Sequence, residues 1–464
     1  MKKIISLIVA LTVFCGSALT AFAATPEPAL IGETAILMDM STGKILYEKK
    51  AREQRFPAST TKILTALLAL ENLDVNQKVT VDDQTPYEVE GSHIALEPGE
   101  VLTVEQLLCA MMTASANDCA LVLGKAVSGT TEKFAQLMNK RAKELGAENT
   151  NFVNPNGLHD NAHLTTAYDL AVIARYAMTN PKTSQAFRQL VTTYKYEIPP
   201  TNIKTEPRYL YNTNRLLYDT VNKVVVNGQK RVFKYEGVTG IKTGYTSHAG
   251  GTLVASAKRG DTELLAVVMK STDPGRFADC MAMLDWGFEN FKTVPKLAAG
   301  ADMGEVKVKR GAVGRVKAVL SQNVSCTLPL EASADVLSTK VVLDESVKAP
   351  VKQGQIVGKL ELYEGDGLLD SYDVRAAEAV KQGGILSYIG IEDKTAKVIW
   401  ITLLAVFAAL AFLMAVYIVL KRRQVKRRRL RRQQQAERRR KEEIARKAAW
   451  EAEFERRRQT ERRL

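Results

Sequence analysis

Ser59 and Lys62 lie three residues apart in the stretch 57–62, which reads PASTTK, and an apolar run follows over 63–70. The proline and the small polar residues predict the start of a helix, and the apolar run predicts that the helix is buried. Residues three apart share a helical face, so the Lys62 amine could take a proton from the Ser59 hydroxyl, which is a weak nucleophile without a base. Backbone N–H groups at a helix start also favour developing negative charge. Ser59 is therefore a candidate nucleophile and Lys62 its candidate base.

The spacing of a serine and a lysine is not specific by itself. In a chain with this many serines and lysines, roughly one or two such matches are expected by chance. A second match, Ser41 with Lys44, lies between strand-like runs over 35–38 and 45–47 and predicts a hairpin turn. A turn does not hold the two side chains on one face. The first match is equally compatible with an ordinary helix start, so further motifs must decide.

Two further motifs follow in the chain. Residues 115–117 read SAN and interrupt a helix predicted over 104–112, so the two polar residues could simply cap the next helix. Residues 242–244 read KTG within a strand predicted over 237–245, which could be an exposed edge strand. The order S-x-x-K, S-D-N and K-T-G is a known signature of serine enzymes that react with β-lactams. The middle motif here has alanine where that signature has aspartate.

With these motifs the chain resembles the low-molecular-mass penicillin-binding proteins, specifically the D-alanyl-D-alanine carboxypeptidases, which are serine peptidases of the S11 type. The resemblance covers about residues 30–390 and includes the stretch 154–158, which reads NPNGL. It implies an α+β fold. A β-lactamase/transpeptidase-like domain, with an antiparallel sheet and helices, is followed by a small β-rich domain. Family members often end in an amphipathic membrane helix, whereas this chain has a full apolar span and a basic tail.

The resemblance implies a catalytic role for each motif residue. Ser59 would attack the carbonyl carbon between two D-alanines of a peptidoglycan stem peptide and form an acyl-enzyme. Lys62 serves as a base only when neutral, which requires burial and a nearby cation to lower its pKa, and Lys242 is the natural cation. Ser115 would relay the proton toward the leaving amine. β-Lactams would acylate the same serine and so act as inhibitors.

The remaining motif residues are expected to bind the substrate. Asn117 would hold the substrate backbone, while Lys242 and Thr243 would bind the terminal carboxylate. Gly244 would let its strand approach the substrate closely. By similarity to the family, the backbone N–H group of Tyr245 and that of the nucleophile would form the oxyanion hole. Arg276 lies at a predicted helix start and is left outside this set.

We expect no cofactor and no metal. His159 and His163 are four apart, but the turn residues before and between them predict a loop, and no H-E-x-x-H pattern is present. Gly43 with Lys44 lacks the earlier glycine that a phosphate loop needs. The four cysteines after the predicted signal peptide have no clustered spacing that would indicate a disulfide framework.

The two ends of the 464-residue chain predict export and membrane anchoring. Two lysines, an apolar stretch and a small-residue site predict a secretory signal cleaved after Ala23. Residues 398–420 carry no charge and would span roughly 34 Å as a helix, enough to cross a bilayer once, with Trp400 and Tyr417 near the two ends. The span predicts a single-pass protein of the bacterial cell membrane.

The tail over 421–464 carries 20 Lys and Arg against 7 Glu, a net charge of +13 within a total of +14. Basic residues beside a span favour the cytoplasmic side, so the catalytic domain is expected on the extracytoplasmic side. The composition favours a charged helix. Attraction to anionic lipid is its simplest role, and no nucleic-acid partner is expected.

Hydrophobic periodicity predicts the order of elements. A hairpin and the Ser59 helix come first, and further helices are predicted over 104–112, 121–127, 131–145 and 166–178. An antiparallel meander follows, with strands over 237–245, 252–257 and 264–269. A helix over 276–291 comes last. Strands at both ends with helices between them predict an α+β domain. The predicted segments are a signal peptide over 1–23, a catalytic domain over 30–291, a β-rich domain over 292–390, a transmembrane helix over 398–420 and a basic tail over 421–464.

Several functions fit the motifs. The first is a carboxypeptidase that removes the terminal D-alanine from stem peptides. A D,D-endopeptidase that acts on cross-links uses the same motifs. A β-lactamase fits less well, because the second domain and the anchor argue against it and no separate water-activating group can be identified. A membrane-bound β-lactam sensor would deacylate slowly and signal through the tail. A short charged tail is too simple for such signalling, so it argues against a sensor.

Overall fold

The computed structural model of the protein describes residues 26–461. The predicted signal peptide over 1–23 lies outside the described residues. The chain divides into two compact units. The first runs to Ala301 and also includes Gln322–Lys340 and Leu362–Asp370, and the second contains the remaining residues.

An antiparallel sheet with the order β2-β1-β11-β10-β9 forms the centre of the first unit. Short strands pair as β3 with β4, β5 with β6, β7 with β8, and β12 with a later strand, β15. The strands up to β12 are β1 (Thr34–Asp39), β2 (Ile45–Lys49), β3 (Lys78–Thr80), β4 (Val101–Thr103), β5 (Lys195–Ile198), β6 (Arg208–Tyr211), β7 (Lys223–Val226), β8 (Gln229–Val232), β9 (Val238–Thr246), β10 (Gly250–Arg259), β11 (Thr262–Ser271) and β12 (Phe291–Leu297).

Helices cover both faces of this sheet. They are α1 (Lys62–Asn72), α2 (Thr85–Glu88), α3 (Val104–Thr113), α4 (Asn117–Ser128), α5 (Thr131–Glu144), α6 (Ala167–Thr179), α7 (Ser184–Thr192) and α8 (Asp273–Asn290), with 3-10 turns at Ala58–Thr61 and Arg215–Leu217. Because side chains alternate along a strand, Ile36 and Met38 of β1 pack with the α1 side, while Ala35 and Leu37 pack with the α8 side. The predicted α+β fold is confirmed.

Helix α1 lies in the core, as its apolar run predicts. Residues 62–69 are all buried, so the first residue of the helix, Lys62, enters the protein interior together with the apolar residues. Helix α3 begins with a capping box, in which the Thr103 and Gln106 side chains each accept from the backbone N–H of the other residue. The break between α3 and α4 is also observed, and Ser115 occupies it with a φ of 60°.

The meander of β9, β10 and β11 is confirmed. In its register Gly244 faces Thr252, and Arg259 faces Thr262 across the β10–β11 turn. Residues 240–244 of β9 are buried, so this strand is not an exposed edge at the KTG motif. Helix α7 and the hairpins β5–β6 and β7–β8 lie in a region for which the sequence predicts no elements. The strands of these two hairpins are only four residues long, which is too short for a clear pattern.

The later strands have the alternating burial of a half-exposed β-structure, as in Val306 and Val308. A six-stranded sheet has the order β16-β18-β19-β14-β13-β17. The later elements are β13 (Asp302–Lys309), β14 (Arg315–Leu320), β15 (Val324–Pro329), β16 (Leu337–Leu343), β17 (Ser346–Lys348), β18 (Ile356–Glu364) and β19 (Gly367–Ala376), with 3-10 turns at Ala334–Val336 and Ile385–Ile389.

A single helix, α9 (Asp393–Glu461), contains both the apolar span and the basic tail. Its apolar window has a mean hydropathy of 2.8 and is not buried against protein. Within residues 26–461 it is the one helix that is long and apolar enough to cross a membrane. The helix can therefore anchor the protein in a membrane.

Candidate active site

Ser59 lies in the 3-10 turn Ala58–Thr61, directly before α1. Hydroxyl groups of the same turn hold it in place, because Thr60 Oγ1 donates to Pro57 O at 2.7 Å and Thr61 Oγ1 donates to Ala58 O at 2.9 Å. Ser59 itself is half-buried, while its neighbours in the turn are buried. The two threonines of the PASTTK stretch therefore hold the turn that presents the serine.

The Lys62 amine is held by three oxygens. Its Nζ lies 3.1 Å from Ser59 Oγ, 2.6 Å from Asn117 Oδ1 and 2.6 Å from the main-chain oxygen of Asn156. The side chain is fully buried. Burial lowers the pKa of Lys62 well below its usual range, and the positive charge of Lys242 lowers it further. The serine–lysine pair predicted from spacing is therefore assembled, with the amine tuned toward its neutral form.

Ser115 and Asn117 lie at the junction between α3 and α4, and both are buried. Asn117 is fixed by its backbone N–H, which donates to Ser92 O at 2.7 Å, and by Nδ2, which donates to Glu90 O at 2.5 Å. Its remaining side-chain oxygen accepts from Lys62. Asn117 thus positions the candidate base, a role beyond the substrate binding that its motif predicts.

Lys242 and Thr243 project from β9 and are buried. Lys242 Nζ donates to Thr243 O at 3.1 Å. Burial, together with the positive charge of Arg276, lowers the pKa of Lys242 to about 7. The Thr243 hydroxyl lies 2.5 Å from that of Thr213, whose backbone N–H donates to Thr113 O at 3.1 Å. Thr243 is thus linked through Thr213 to the end of α3, two residues before Ser115.

Arg276 of α8 lies against the same strand, although no motif in the sequence indicates it. It is 8% exposed, and Nη1 donates to Gly244 O at 2.7 Å. Burial lowers its pKa as well, and its Nε has no hydrogen-bond partner among residues 26–461. Arg276 lies 32 residues beyond Gly244 in the chain, so only the packing of α8 on the sheet reveals it.

Gly244 allows β9 to pass beside the nucleophile. A Cβ atom built on Gly244 would lie 2.9 Å from Ser59 N and 3.0 Å from Pro57 O, closer than side chains normally approach a backbone. Pro57 O also accepts from Thr252 Oγ1, which joins the serine turn to β10 at 3.0 Å. Tyr245, the next residue, is 60% exposed. Glycine at this position therefore brings the strand against the turn that carries Ser59.

We expect Gly244→Ala to slow acylation of Ser59 by about 10²-fold, because the strand must shift away from the serine turn and small misplacements are costly. The rate of labelling by a fluorescent penicillin measures this. Gly384→Ala is the matched control, since Gly384 has a φ of −65° and a Cβ there would lie no closer than 3.5 Å to another atom. Equal rates for Gly244→Ala and the wild type would contradict the close approach.

His163 supports the serine turn from behind. Its Nδ1 accepts from Val153 N at 3.1 Å, so Nε2 carries the proton and donates to Thr61 Oγ1 at 2.9 Å. Burial lowers the pKa of His163 to about 4. Gly157, with a φ of 85°, lies directly against Ala58 O, where the Cβ atom of any other residue would overlap the backbone. The loop over 154–157 thus supplies both the Asn156 oxygen and the support of the turn.

Folding stability should fall as the pH drops from about 6.5 to about 4, because the unfolded chain binds a proton at His163 and the folded chain does not. This group contributes up to about 3 kcal/mol to that loss. We expect His163→Gln to show a flatter dependence of Tm on pH over this window in thermal unfolding of the full chain. Parallel curves for the variant and the wild type would exclude His163 as the cause.

The two histidines that are four apart do not form a metal site. His163 is committed to Thr61, whereas His159 stacks on His248 with 3.7 Å between ring centroids and packs edge-on against Phe56 at 4.6 Å. No group of three or more His, Cys, Asp or Glu side chains that could hold a metal occurs within residues 26–461. The four cysteines of this part of the chain are free and buried.

The geometry defines a class of enzyme, in which a serine beside a buried lysine of lowered pKa, next to a strand that carries a second lysine, performs acyl transfer. Comparison with known proteins agrees. The family described as D-alanyl-D-alanine carboxypeptidase matches residues 21–273, and the C-terminal domain of penicillin-binding protein 5 matches residues 291–382. The D-alanyl-D-alanine carboxypeptidase DacF of Bacillus subtilis is 33% identical over 372 residues, which cover 79% of this chain and 90% of that relative.

Solved structures give the same assignment. Penicillin-binding protein 5 from Haemophilus influenzae superposes with a TM-score of 0.60 at 26% identity, covering 77% of this chain and all of that one. The Streptomyces K15 DD-transpeptidase superposes with a TM-score of 0.51 at 32% identity, covering 57% of this chain and 99% of that one. The chain belongs to the D-alanyl-D-alanine carboxypeptidase family of penicillin-binding proteins. It is a serine hydrolase of cell-wall metabolism with a transpeptidase-like domain and a β-rich C-terminal domain.

Proposed function

We propose that the protein removes the terminal D-alanine from peptidoglycan stem peptides through an acyl-enzyme on Ser59. The observation that carries this proposal is the arrangement around Lys62. A neutral amine has two N–H groups and one lone pair. The two carbonyl oxygens at 2.6 Å, from Asn117 and Asn156, take the two N–H groups. The lone pair is left for the Ser59 hydroxyl at 3.1 Å, which is what a general base requires.

We propose the following course for the reaction. Ser59 Oγ attacks the carbonyl carbon between the two D-alanines, and its proton moves to Lys62. The backbone N–H groups of Ser59 and Tyr245 stabilise the oxyanion. When the C–N bond breaks, the leaving amine of D-alanine takes a proton from Lys62 by way of the Ser115 hydroxyl. Water then attacks the ester carbonyl carbon and gives a proton to Lys62. The bond between that carbon and Ser59 Oγ breaks, Lys62 returns the proton to Oγ, and the shortened peptide leaves as a carboxylic acid.

Substrate binding is assigned to β9 and its neighbours. Lys242 and the Thr243 hydroxyl bind the terminal carboxylate of the substrate, and Arg276 adds positive charge behind Gly244 O. The close approach of β9 at Gly244 keeps the substrate strand beside Ser59. Asn117, which already holds Lys62, contributes to binding of the substrate backbone after its contacts rearrange. β-Lactams carry a carboxylate next to a reactive amide and would enter the same site.

The test uses the full chain in detergent with a diacetylated L-Lys-D-Ala-D-Ala peptide, and free D-alanine is measured. We expect release by the wild type and none above background by Ser59→Ala. Ser41→Ala is the matched control, because Ser41 belongs to the hairpin turn with the same spacing to a lysine. Stable labelling by a fluorescent penicillin without any D-alanine release would instead favour a β-lactam sensor or an endopeptidase that needs cross-linked substrate.

We further propose that α9 crosses the bacterial cell membrane once over 398–420, with the catalytic domain outside and the tail from Lys421 inside. The net charge of +13 in the tail and the uncharged span support this orientation. Anionic lipid would attract the tail. The segments 30–291 and 292–390 are proposed as the catalytic and β-rich domains. Protease added to intact spheroplasts should digest the first domain and spare the tail, and the reverse pattern would refute the orientation.

A further inference from the structure

Large apolar side chains are exposed directly before α9. The 3-10 turn Ile385–Ile389 presents three of them, with Ile385 89%, Tyr388 56% and Ile389 73% exposed. Val313, in the loop between β13 and β14, is 50% exposed. Single exposed apolar residues are ordinary, but four that lie around one point of the fold indicate an interaction surface. We call these four residues the apolar collar.

Val313 is fixed against the start of α9 by both of its neighbours in the chain. The preceding residue, Ala312, accepts from the backbone N–H of Asp393 at 3.1 Å. The following residue, Gly314, donates its N–H to the Glu392 carboxylate at 3.0 Å. A Cβ atom built on Gly314 would lie 2.6 Å from Glu392 Oε1, so the loop passes directly against this side chain. Val313 therefore lies beside the first residue of the helix.

The 3-10 turn is fixed to the same point. The Asp393 carboxylate accepts from the backbone N–H of Gly384, which directly precedes the turn, at 2.8 Å. The backbone N–H of Gly383 donates to Arg310 O at 3.0 Å, which joins the turn to the loop between β13 and β14. Hydrogen bonds thus attach the whole apolar collar to the start of α9.

The length of α9 sets the depth of the apolar collar in a membrane. Val398, where the uncharged span begins, follows Asp393 by five residues, about 8 Å of helix. The headgroup layer on each side of the hydrocarbon core is about 5 to 8 Å thick. When residues 398–420 cross a bilayer, Asp393 and the apolar collar bound to it therefore lie at the depth of the headgroups. Lipid is the partner that the position of the helix brings to this surface.

The chemistry of the apolar collar also fits the headgroup layer. Aliphatic side chains can enter the boundary between headgroups and acyl chains, and tyrosine is enriched at that depth. The Arg310 guanidinium lies 4.7 Å from the centroid of the Tyr388 ring, so a cation accompanies the aromatic group. Residues 310–314 and 381–397 carry four Lys and Arg against two carboxylates, a net charge of +2. This charge favours contact with the phosphate groups of lipids.

We propose that the apolar collar docks onto the phospholipid headgroup layer at the membrane surface where α9 enters. This inference rests on the proposed crossing of the membrane by α9, and it does not depend on the carboxypeptidase reaction. The collar gives the second unit an attachment to the bilayer in addition to the helix itself. Because both contacts hold the unit together, its angle to the membrane is fixed, and it does not swing freely on α9.

The test measures the depth of the apolar collar, with the full chain in vesicles of phosphatidylcholine and phosphatidylglycerol. The fluorophore NBD is attached to Ile385→Cys, because the four cysteines within residues 26–461 are buried. We expect phosphatidylcholine with a nitroxide on its headgroup to quench this label about twofold, since the residue lies among the headgroups. The control label is on Asp302→Cys, at the opposite end of β13 and about 23 Å along the strand from Lys309. It should not be quenched.

A pair of substitutions separates docking from simple proximity to the helix. In Val313→Asp/Ile389→Asp we expect the quenching of the label on Ile385→Cys to fall by about half, because carboxylates resist transfer into an anionic, partly apolar layer. Val341→Asp is the matched control, since Val341 is an exposed valine on β16 of the same unit. It should leave the quenching unchanged.

A label within the span distinguishes failure of the apolar collar from failure of the membrane crossing. Phospholipid with brominated acyl chains should quench NBD on Phe407→Cys, which lies in the middle of the span. If that label is quenched but the collar label is not, or if the two aspartates change nothing, the collar does not dock on lipid and the inference is overturned. A protein or a second copy of this chain would then cover it. If the span label is not quenched, the crossing is refuted, and the docking with it.

Discussion

The Lys62→Met variant is expected to acylate about 10³- to 10⁴-fold more slowly than the wild type. The reason is that the amine beside Ser59 Oγ is lost while the length of the buried side chain is kept. The effect is measured as the second-order rate constant for labelling by a fluorescent penicillin at pH 7. Methionine leaves Asn117 Oδ1 and Asn156 O without the Lys62 donor, so a lower Tm is expected too.

The variant Lys62→Arg tests whether charge or proton transfer matters. A guanidinium keeps the positive charge and the donors but stays protonated at any accessible pH, so it cannot act as the base. We expect it to be as slow as Lys62→Met. Retention of more than a tenth of the wild-type rate by Lys62→Arg would show that Lys62 acts by its charge and would refute its role as base.

The second large effect is expected for Lys242→Gln, which should slow acylation at pH 7 by about 10³-fold. One cause is the loss of the cation that binds the substrate carboxylate. The other acts on Lys62, since the positive charge of Lys242 helps to lower the pKa of Lys62. Without it the pKa of Lys62 rises, and a smaller fraction of the amine is neutral at pH 7.

The pH profile separates these two causes. In the wild type the rate should rise with pH as Lys62 becomes neutral and should fall above about pH 7 as free Lys242, whose pKa is about 7, loses its charge. In Lys242→Gln the rising limb should move to higher pH and the falling limb should disappear. Lys258→Gln, an exposed lysine on the adjacent strand β10, is the control. An unchanged rising limb would mean that Lys242 does not tune the base.

The sequence predicted the residues of the site that act through their side chains and that lie close together in the chain, within a recognisable helix or strand. The run over 63–70 predicted α1 because a helix that is apolar on all sides must be buried, and the structure extends it only to Lys62–Asn72. The meander of β9 to β11 was equally clear, since its strands are long and bounded by turn residues. Lys62 lies in α1, Ser59 in the turn directly before it and Lys242 in β9, so these three residues could be predicted from the sequence.

The residues of the site that the sequence did not predict act through the main chain, or they contact residues that are far away in the sequence. Asn156 holds Lys62 with a backbone oxygen, which every residue possesses, so no residue type can signal it. Arg276 of helix α8 reaches Gly244 of strand β9, and Thr213, two residues after a hairpin that the sequence did not predict, reaches Thr243. Such residues become visible only when the packing of distant segments is known.

The partners of Lys62 have a consequence for the folding chain. Asn117 and Asn156 lie 55 and 94 residues further along, so the amine meets both only when three separate segments have come together. Before that point Lys62 is in water, where an amine of ordinary pKa is protonated at pH 7 and leaves Ser59 unreactive. Newly exported or partly unfolded molecules should therefore not be acylated by β-lactams. The amount of covalent penicillin label is then proportional to the number of natively folded molecules. This reaction alone can therefore measure the folded fraction of a wild-type sample.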